Sequence, residues 1–200
     1  MSKYHFTLSE IYYPNSDIPK NRLNIKDPLL LHEIEAQLLY DAMQYFVANL
    51  TENIQFDEKF FKNLHKTTFQ SLYEWAGLYR DIDMAKGDSL FCRGEFVGAE
   101  SKRIFAALKE ENYLKGINSR EQLAQKIAFY QCELIALHPF YELNGRITRL
   151  YFDLIAIYNG FLPIDYSVAT VGEYIDASIE CVQKADCKKL FSIIYKGLKK

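Results

Sequence analysis

The sequence predicts an all-α fold, a helical bundle with one short β-hairpin. Apolar residues recur at helical spacing through most of the chain, whereas the alternation typical of strands is confined to the stretch between Tyr79 and Phe91. A chain of 200 residues that is 49% hydrophobic can bury a sizeable core. We therefore expect an extended N-terminal arm over residues 1–26 and a single helical domain over residues 27–200.

Composition and charge narrow the range of partners. The 24 basic and 26 acidic residues give a net charge of −2, so we expect no general binding to nucleic acid. No apolar run approaches the length of a membrane span, and the N-terminus lacks the apolar segment of a signal peptide, so no membrane partner is expected. The predicted location is the cytoplasm, with secretion as an effector left open. The 4 cysteines lack C-x-x-C spacing, which favours reduced thiols over a zinc site.

Start signals mark the first two predicted helices. Asp27 and Pro28 form an N-cap followed by a proline at the first helical position. The apolar stripe of this helix comprises Leu31, Ile34, Leu38, Ala42 and Tyr45. A second helix opens at Asp57 and is expected to end near Gly77, because glycine is common just after a helix C-terminus.

The hydrophobic period changes after the second helix. Ile82 and Met84 alternate with aspartates, and the sequence from Lys86 to Ser89 has the composition of a turn. We predict a β-hairpin here and call residues 79–92 the flap. The hairpin could be a mere decoration, but an exposed strand edge can also hold an extended segment of another protein by main-chain pairing.

Helical spacing returns from Val97 to Leu108 and continues to the end of the chain. The helix before His138 carries its apolar stripe directly up to that histidine. The later helices are expected to begin at the capping box of Ser119 and Gln122, at Asn144, at the capping box of Thr170 and Glu173, and near Asp186. The last of them covers residues 186–200.

The densest group of reactive side chains lies in the sequence HPFYELNGRITR, from His138 to Arg149. Pro139 biases His138 away from the right-handed helical region, so we expect the histidine on a short loop before the helix that begins at Asn144. The first N–H groups of that helix have no intrahelical partners and carry the positive end of its macrodipole. The pattern therefore predicts a phosphate site beside a histidine base.

Each of these side chains has a structural and a chemical interpretation. His138 is either a structural histidine or a general base, and the adjacent anion site favours the base. Glu142 is either a solvated carboxylate or a Mg²⁺ ligand beside a polyphosphate. Arg146 and Arg149 are either surface ion-pair residues, with Asp153 as a partner for Arg149, or phosphate clamps, which we favour. The remaining histidines lack a nearby set of ligand residues and are expected at the surface or in the core: His5, His32 and His65.

The stretch HPFYELNGRITR resembles the signature of the Fic family, HPFx[DE]GN[GK]RxxR, and matches it at every specified position except one. Two other segments support the resemblance. Residues 64–80 resemble the family's sequence before its flap, and residues 173–177 resemble the helix that follows the motif. The resemblance covers about residues 23–198 and implies a Fic-fold helical domain. The usual activity of that family is transfer of AMP from ATP to a hydroxyl side chain of a target protein.

The resemblance also implies a role for each matching residue. His138 would deprotonate the tyrosine, threonine or serine hydroxyl of the target, and Phe140 would anchor the loop in the core. Glu142 would hold Mg²⁺, and Arg149 would bind the γ-phosphate of ATP. Other residues at the nucleotide and its phosphates would be Lys86, Gly87, Leu143, Asn144, Gly145, Arg146 and Tyr174. The target-docking residues of the flap would be Ile82, Asp83 and Met84.

Two positions depart from the family pattern. Leu143 stands where the family usually has glycine, and members without that glycine include some that transfer other phosphate-containing groups. Ser192, Lys196 and Gly197 match the spacing of an inhibitory S-x-x-x-E-G helix, but lysine replaces the glutamate that pairs with the second motif arginine. Because a lysine would repel Arg149, we expect the site to be uninhibited or to be restrained by a small antitoxin-like protein or by self-association.

The sequence as a whole predicts a Mg²⁺- and ATP-dependent protein adenylyltransferase, which could be the toxin of a toxin and antitoxin pair. Two alternatives stay open. One is transfer of another phosphate-containing group. The other is a nucleotide-binding or partner-binding domain whose catalysis is weak because of Leu143.

Overall fold

The computed structural model describes residues 11–200 and the backbone of residues 5–6. The rest of the predicted N-terminal arm, residues 1–4 and 7–10, lies outside the described residues. Within the described part the chain forms seven α-helices, which are α1 (Pro28–Ala48), α2 (Glu58–Phe69), α3 (Val97–Glu110), α4 (Arg120–Leu137), α5 (Asn144–Tyr158), α6 (Val171–Lys184) and α7 (Lys188–Gly197). The predicted all-α fold with one hairpin is confirmed.

The first helix begins where its N-cap predicts. The side chain of Asp27 accepts hydrogen bonds from the N–H groups of Leu29 and Leu30, which satisfies two donors of the first turn. The predicted apolar stripe is wrong at its last position. Tyr45 is exposed, and Phe46 takes the buried position instead.

The second helix ends at Phe69, so its predicted end near Gly77 is wrong. Residues 70–77 form turns that fold back onto the helix. Gly77 has a φ of +81°, and a Cβ there would lie 2.6 Å from the Cβ of Lys66. The glycine is therefore required by the close approach of the returning chain, and it does not mark the end of the helix.

The flap contains the predicted hairpin, in a shorter form. Its strands are β2 (Met84–Lys86) and β3 (Ser89–Leu90), which pair antiparallel around Gly87. Ile82 and Asp83 precede the first strand. The Asp83 carboxylate accepts the N–H of Gly94 and so holds the base of the flap. A third strand, β1 (His5–Phe6), pairs antiparallel with β2, and the sheet order is β1-β2-β3.

The core surrounds α5. Ile147, Tyr151 and Leu154 of this helix are fully buried, and α4 lies against it. The last helix packs along α4 and covers residues 188–197, which is shorter than the predicted 186–200. The packing of α4 and α5 fixes the loop between them, which carries the first half of the motif, and the second half begins α5. Across the described residues, none of the helices has the length and apolar character needed to cross a membrane.

Candidate active site

His138 lies immediately after α4 in a left-handed conformation, with φ 46° and ψ 59°. Pro139 therefore keeps it out of the right-handed helical region, as predicted. The side chain of Arg80 holds this unusual backbone, because its Nε donates to the His138 carbonyl at 2.7 Å. The imidazole is nearly buried and stacks on Phe91, with ring centroids 3.8 Å apart. Both the backbone and the ring of the predicted base are thus fixed.

The loop after His138 is closed by Asn144. Its side-chain Oδ1 accepts the N–H of Phe140 at 2.7 Å, and its Nδ2 donates to the Phe140 carbonyl at 2.8 Å. Phe140 is fully buried and stacks on His65, with centroids 3.9 Å apart. The side chain of Asn144 therefore shapes the loop, which leaves its backbone N–H as the group that it presents at the start of α5.

His65 supports the loop from the core. Its Nδ1 accepts the N–H of Gly77 at 2.9 Å, and its Nε2 lies 3.2 Å from the carbonyl oxygen of Glu142. The proton must then sit on Nε2, which donates to Glu142. Burial lowers the pKa of His65 to about 3, and the hydrogen bond to Glu142 offsets only part of that effect. The ring stays neutral at working pH and acts as a fixed donor.

The carboxylate of Glu142 is nearly buried in the wall of a cleft. The hydroxyl of Tyr12 donates to its Oε1 at 2.5 Å, and the N–H of Leu143 donates to its Oε2 at 3.3 Å. A carboxylate is the hard oxygen ligand that Mg²⁺ prefers. Among the described residues no group of three His, Cys, Asp or Glu side chains could hold a metal ion. Glu142 therefore fits a Mg²⁺ ion that takes its other ligands from phosphate and water.

Leu143 occupies the position that the signature gives to glycine. It precedes α5 with φ 66° and ψ 12°, the left-handed conformation that glycine adopts most easily. Its apolar side chain is buried and cannot cap the helix. The first N–H groups of α5, from Asn144, Gly145 and Arg146, are therefore left for an anion in the cleft.

The two motif arginines have different surroundings. Arg146 donates from Nη1 to Glu35 on α1 at 2.6 Å, and its Nη2 lies 2.9 Å from Nδ1 of His32. Arg149 lies in the cleft against two aromatic rings instead. Its predicted alternative partner, Asp153, accepts the N–H of Ile164 at 2.9 Å. Burial raises the pKa of Asp153 to about 7, so this carboxyl is only partly ionised at neutral pH.

The cleft has a volume of about 450 Å³, which is in the range of ligand sites. It brings together ten of the predicted site residues: Lys86, Gly87, His138, Glu142, Leu143, Asn144, Gly145, Arg146, Arg149 and Tyr174. Phe91 and the face of α6 complete its walls. The motif, the tip of the flap and α6 therefore share one cavity.

The three predicted docking residues of the flap do not line this cleft. Met84 is fully buried in a small cluster with Tyr12 and Phe91, and Ile82 packs against that cluster. Asp83 is engaged at the base of the flap. The side chain of Met84 is therefore used inside the domain, whereas Ile82 and Asp83 are half-buried at the base of the flap.

The three predicted regulatory residues of α7 also lie outside the cleft lining. Ser192 and Lys196 are exposed, and Gly197 packs closely on the backbone of Asp165. The carbonyl of Tyr195, next to Lys196, accepts a hydrogen bond from Arg120 at 3.1 Å. Arg120 is the first residue of α4, so this end of α7 lies at the opposite end of α4 from the loop of residues 138–143.

The sequence patterns did not predict several residues that support the site. Tyr12, His65 and Arg80 are far from the motif in sequence, and each is a polar residue in an otherwise ordinary stretch. Arg80 is buried and donates to carbonyls of both the flap and the catalytic loop. The clearest available signal was the segment of residues 64–80 that resembles the family, which contains two of them.

The fold and the cleft define a class of protein, a helical domain in which a histidine, a carboxylate and an anion-binding helix start face one cavity. A family model described as the Fic/DOC family matches residues 55–156. The chain is 32% identical over 179 residues to probable protein adenylyltransferase y4lH of Sinorhizobium fredii, which covers 90% of this chain and 91% of that protein. The chain belongs to the Fic/DOC family, as its motif predicts.

Other relatives agree with this assignment. Probable protein adenylyltransferase Fic of Escherichia coli is 30% identical over 149 residues, with 74% of this chain and 72% of that protein covered. The crystal structure of the BepC protein from Bartonella tribocorum with bound AMPPNP superposes with a TM-score of 0.81 at 25% identity and covers 94% of this chain and 95% of that chain. A Fic domain from Bartonella quintana with bound ADP gives a TM-score of 0.79 at 26% identity, with 94% of each chain covered.

Proposed function

We propose that this chain is a Mg²⁺- and ATP-dependent protein adenylyltransferase. The observation that carries the proposal is one cleft in which His138, the Glu142 carboxylate, the start of α5 and Arg149 face the same space. The names of the two relatives and the nucleotides bound in two related structures support ATP as the donor. The hydroxyl acceptor belongs to a tyrosine, threonine or serine of a target protein.

Several groups hold the triphosphate in this proposal. The backbone N–H groups of Asn144 and Gly145 bind the α-phosphate, since they are the free donors at the start of α5. Arg149 binds the γ-phosphate, and Arg146, which is paired with Glu35 on α1, borders the phosphates from the cleft wall. Glu142 would hold Mg²⁺, which when bound would supply positive charge to the phosphates and to the leaving pyrophosphate. Lys86 and Gly87 lie beside the nucleotide, and Tyr174 borders its phosphate end, against Arg149.

The reaction then needs little covalent chemistry from the protein. The target hydroxyl oxygen attacks the α-phosphorus, and the bond from that phosphorus to the oxygen bridging the β-phosphate breaks. His138 takes the hydroxyl proton, and pyrophosphate leaves. The stacked ring and the clamped backbone of His138 keep the base aligned with the phosphate site, so catalysis is mainly positioning and electrostatic stabilisation.

The target docks at the flap through main-chain pairing. Because the side chain of Met84 is buried, this residue can contribute only its backbone to such pairing. In the chain by itself, residues 5–6 pair with this strand. We propose that an extended target segment takes their place and brings its hydroxyl towards His138.

Restraint of the site is proposed to come from another molecule, either a small antitoxin-like protein or a second copy of the chain. The C-terminal helix of this chain lacks the glutamate of the inhibitory motif and carries Lys196 on an exposed position outside the cleft.

Transfer of AMP is favoured over transfer of another phosphate-containing group. The departure at Leu143 raised that alternative, but the leucine adopts the left-handed φ of 66° that a glycine would have. Leu143 therefore takes a backbone conformation that glycine also adopts readily. Incubation with ATP, Mg²⁺ and a cell lysate, followed by mass spectrometry of the proteins, separates an added AMP from an added phosphate.

Replacement of His138 by alanine or by asparagine tests the proposed base. Neither side chain can accept the hydroxyl proton at neutral pH, so labelling of target protein by α-labelled ATP should fall at least ~100-fold. Asparagine keeps a polar side chain and loses less packing against Phe91 than alanine does, and thermal unfolding of each variant should show a single cooperative transition of a folded chain. Equal labelling by the variants and the unchanged chain would remove His138 from the mechanism.

A further inference from the structure

A buried amide lies behind Arg149. Gln131 of α4 is fully buried, and its side chain joins two tyrosines from different elements. Its Oε1 accepts the hydroxyl of Tyr166 at 2.9 Å, and its Nε2 donates to the hydroxyl oxygen of Tyr174 at 3.0 Å. A buried amide is costly unless it is hydrogen-bonded, and here both of its ends are used. The orientation of the amide and the positions of both hydroxyls are therefore fixed together.

The two tyrosine rings form a corner that holds Arg149. They meet edge to face, with centroids 5.6 Å apart and planes at 89°. The guanidinium carbon of Arg149 lies 5.6 Å from the centroid of Tyr166 and 5.2 Å from that of Tyr174. Both distances are within the range of cation–π attraction.

Aromatic contacts leave the hydrogen-bonding capacity of the arginine intact. A ring attracts the cation through its face and uses none of the five N–H donors, which remain for an anion in the cleft. The other nearby group on the helix, Asp153, is engaged with the backbone of Ile164. The direction of Arg149 is thus set by the two rings, and the rings are set by one amide.

We propose that Gln131 is a positioning residue that sets which nucleotide the site prefers. It holds Tyr166 and Tyr174 so that Arg149 is directed to bind the terminal phosphate of the nucleotide. The inference rests on the proposed function, in which Arg149 binds the γ-phosphate. Gln131 itself touches neither nucleotide nor target. Its effect therefore appears in the preference for ATP over ADP, because ADP lacks the phosphate that Arg149 contacts.

Equilibrium binding of Mg²⁺-ATP and Mg²⁺-ADP to the full chain tests this inference. Gln131→Leu keeps the approximate volume and removes both hydrogen bonds. We expect it to lower the ratio of ATP to ADP affinity by about fivefold, which corresponds to one cation–π contact of roughly 1 kcal/mol. The affinity for ADP should change less than about twofold. Arg149→Ala should lower the ratio at least as far.

Two further variants keep the test decisive. Tyr166→Phe removes one hydroxyl but keeps the ring, and it should lower the ratio in the same direction if Gln131→Leu fails to fold. Cys132→Ala, a buried change on the next position of α4, should leave the ratio unchanged.

The outcomes separate the inference from the function beneath it. A ratio that falls in Arg149→Ala but stays unchanged in Gln131→Leu and Tyr166→Phe overturns the role of Gln131 alone. Equal weakening of ATP and ADP in Gln131→Leu also overturns it, since a merely structural role would produce that result. If the unchanged chain does not prefer ATP to ADP, or binds neither nucleotide, the result contradicts the proposed function, in which Arg149 binds the γ-phosphate.

Discussion

The carboxylate of Glu142 is held by a tyrosine that lies 130 positions earlier in the chain. A hydrogen bond from a phenol to a carboxylate is short and charge-assisted, and it fixes the side chain of the acceptor. Loss of a group that orients a metal ligand in this way typically lowers metal affinity or activity about 10- to 100-fold. Tyr12 therefore belongs to the machinery of the site, although it does not contact the proposed phosphate positions.

Tyr12→Phe should raise the Mg²⁺ concentration needed for half-maximal target labelling by about tenfold, the lower end of the effect of such orienting groups on metal affinity. At saturating Mg²⁺ the rate should stay within about threefold of that of the unchanged chain, because the carboxylate itself remains. A Mg²⁺ titration of the initial labelling rate measures both quantities.

The neighbouring tyrosine provides a matched control for this prediction. The hydroxyl of Tyr13 donates to Asn24 at the surface, so Tyr13→Phe should leave the Mg²⁺ dependence unchanged. If Tyr12→Phe and Tyr13→Phe behave alike, the hydrogen bond to Glu142 does not orient a metal ligand.

The buried His65 makes stability depend on pH. Its pKa in the folded chain is about 3, below the ordinary value of 6.5, so the unfolded chain binds a proton that the folded chain excludes. The stability contribution is complete above pH 6.5 and is lost as the pH falls towards 3. Between pH 7 and pH 5 this group alone should lower the free energy of unfolding by about 2 kcal/mol.

Denaturant unfolding at pH 7 and pH 5 measures that loss when the unchanged chain is compared with His65→Gln. Glutamine keeps a donor near Glu142 but does not titrate, so the variant should lose about 2 kcal/mol less between the two pH values. An identical pH dependence in the two proteins would mean that His65 is protonated in the folded state.

The sequence predicted the residues of the motif because they are contiguous and resemble a known pattern. It did not predict Tyr12, His65 or Gln131 as partners of that motif. Each is brought to the site by the tertiary fold. Before the fold is known, a buried polar residue on a helix has the same sequence appearance as an exposed one. His65 was expected only as a surface or core residue for this reason.

At the scale of secondary structure elements, start signals were more informative than end signals. Asp27 and Asp57 cap the helices that they were expected to cap, because a cap is a local hydrogen bond between neighbours in the sequence. Gly77 misled the prediction of the end of α2. That glycine is required by contact with Lys66 on the returning chain, and such contacts depend on the tertiary fold.

The helix α7 shows how a short pattern can resemble a functional segment. Lys196→Glu restores the glutamate of the inhibitory motif, yet we expect target labelling to stay within about twofold. Lys196 is exposed and does not line the cleft, and the neighbouring Tyr195 carbonyl bonds to Arg120 at the far end of α4. A charge change on an exposed side chain outside the cleft lining is screened by solvent and has little effect on the cleft.

Lys200→Glu is the charge-matched control for that prediction, because it makes the same change at another exposed position near the C-terminus. Strong inhibition by Lys196→Glu alone would show that α7 can bring position 196 to Arg149. Initial labelling rates at equal protein concentration decide between these outcomes.

At the scale of the whole molecule, helical periodicity was sufficient to predict an all-α domain, whereas the environment of the flap was not predictable. The pairing of β1 with β2 joins residues about 80 positions apart, and neither segment has a sequence pattern that specifies its partner. The N-terminal arm therefore contributes both a strand beside the flap and the tyrosine that holds Glu142.

This arrangement predicts competition between the arm and the target. Target docking by main-chain pairing needs the edge of β2 that residues 5–6 occupy, so removal of residues 1–10 should free it while Tyr12 is retained. We expect the KM for the target to fall about three- to tenfold, which corresponds to release of one or two backbone hydrogen bonds. The kcat should change little, because His138 and the cleft are untouched.

Phe6→Pro, which removes one backbone donor from the strand, should have the same effect in the full-length chain. A KM that rises in both variants would show that the arm helps the target to bind.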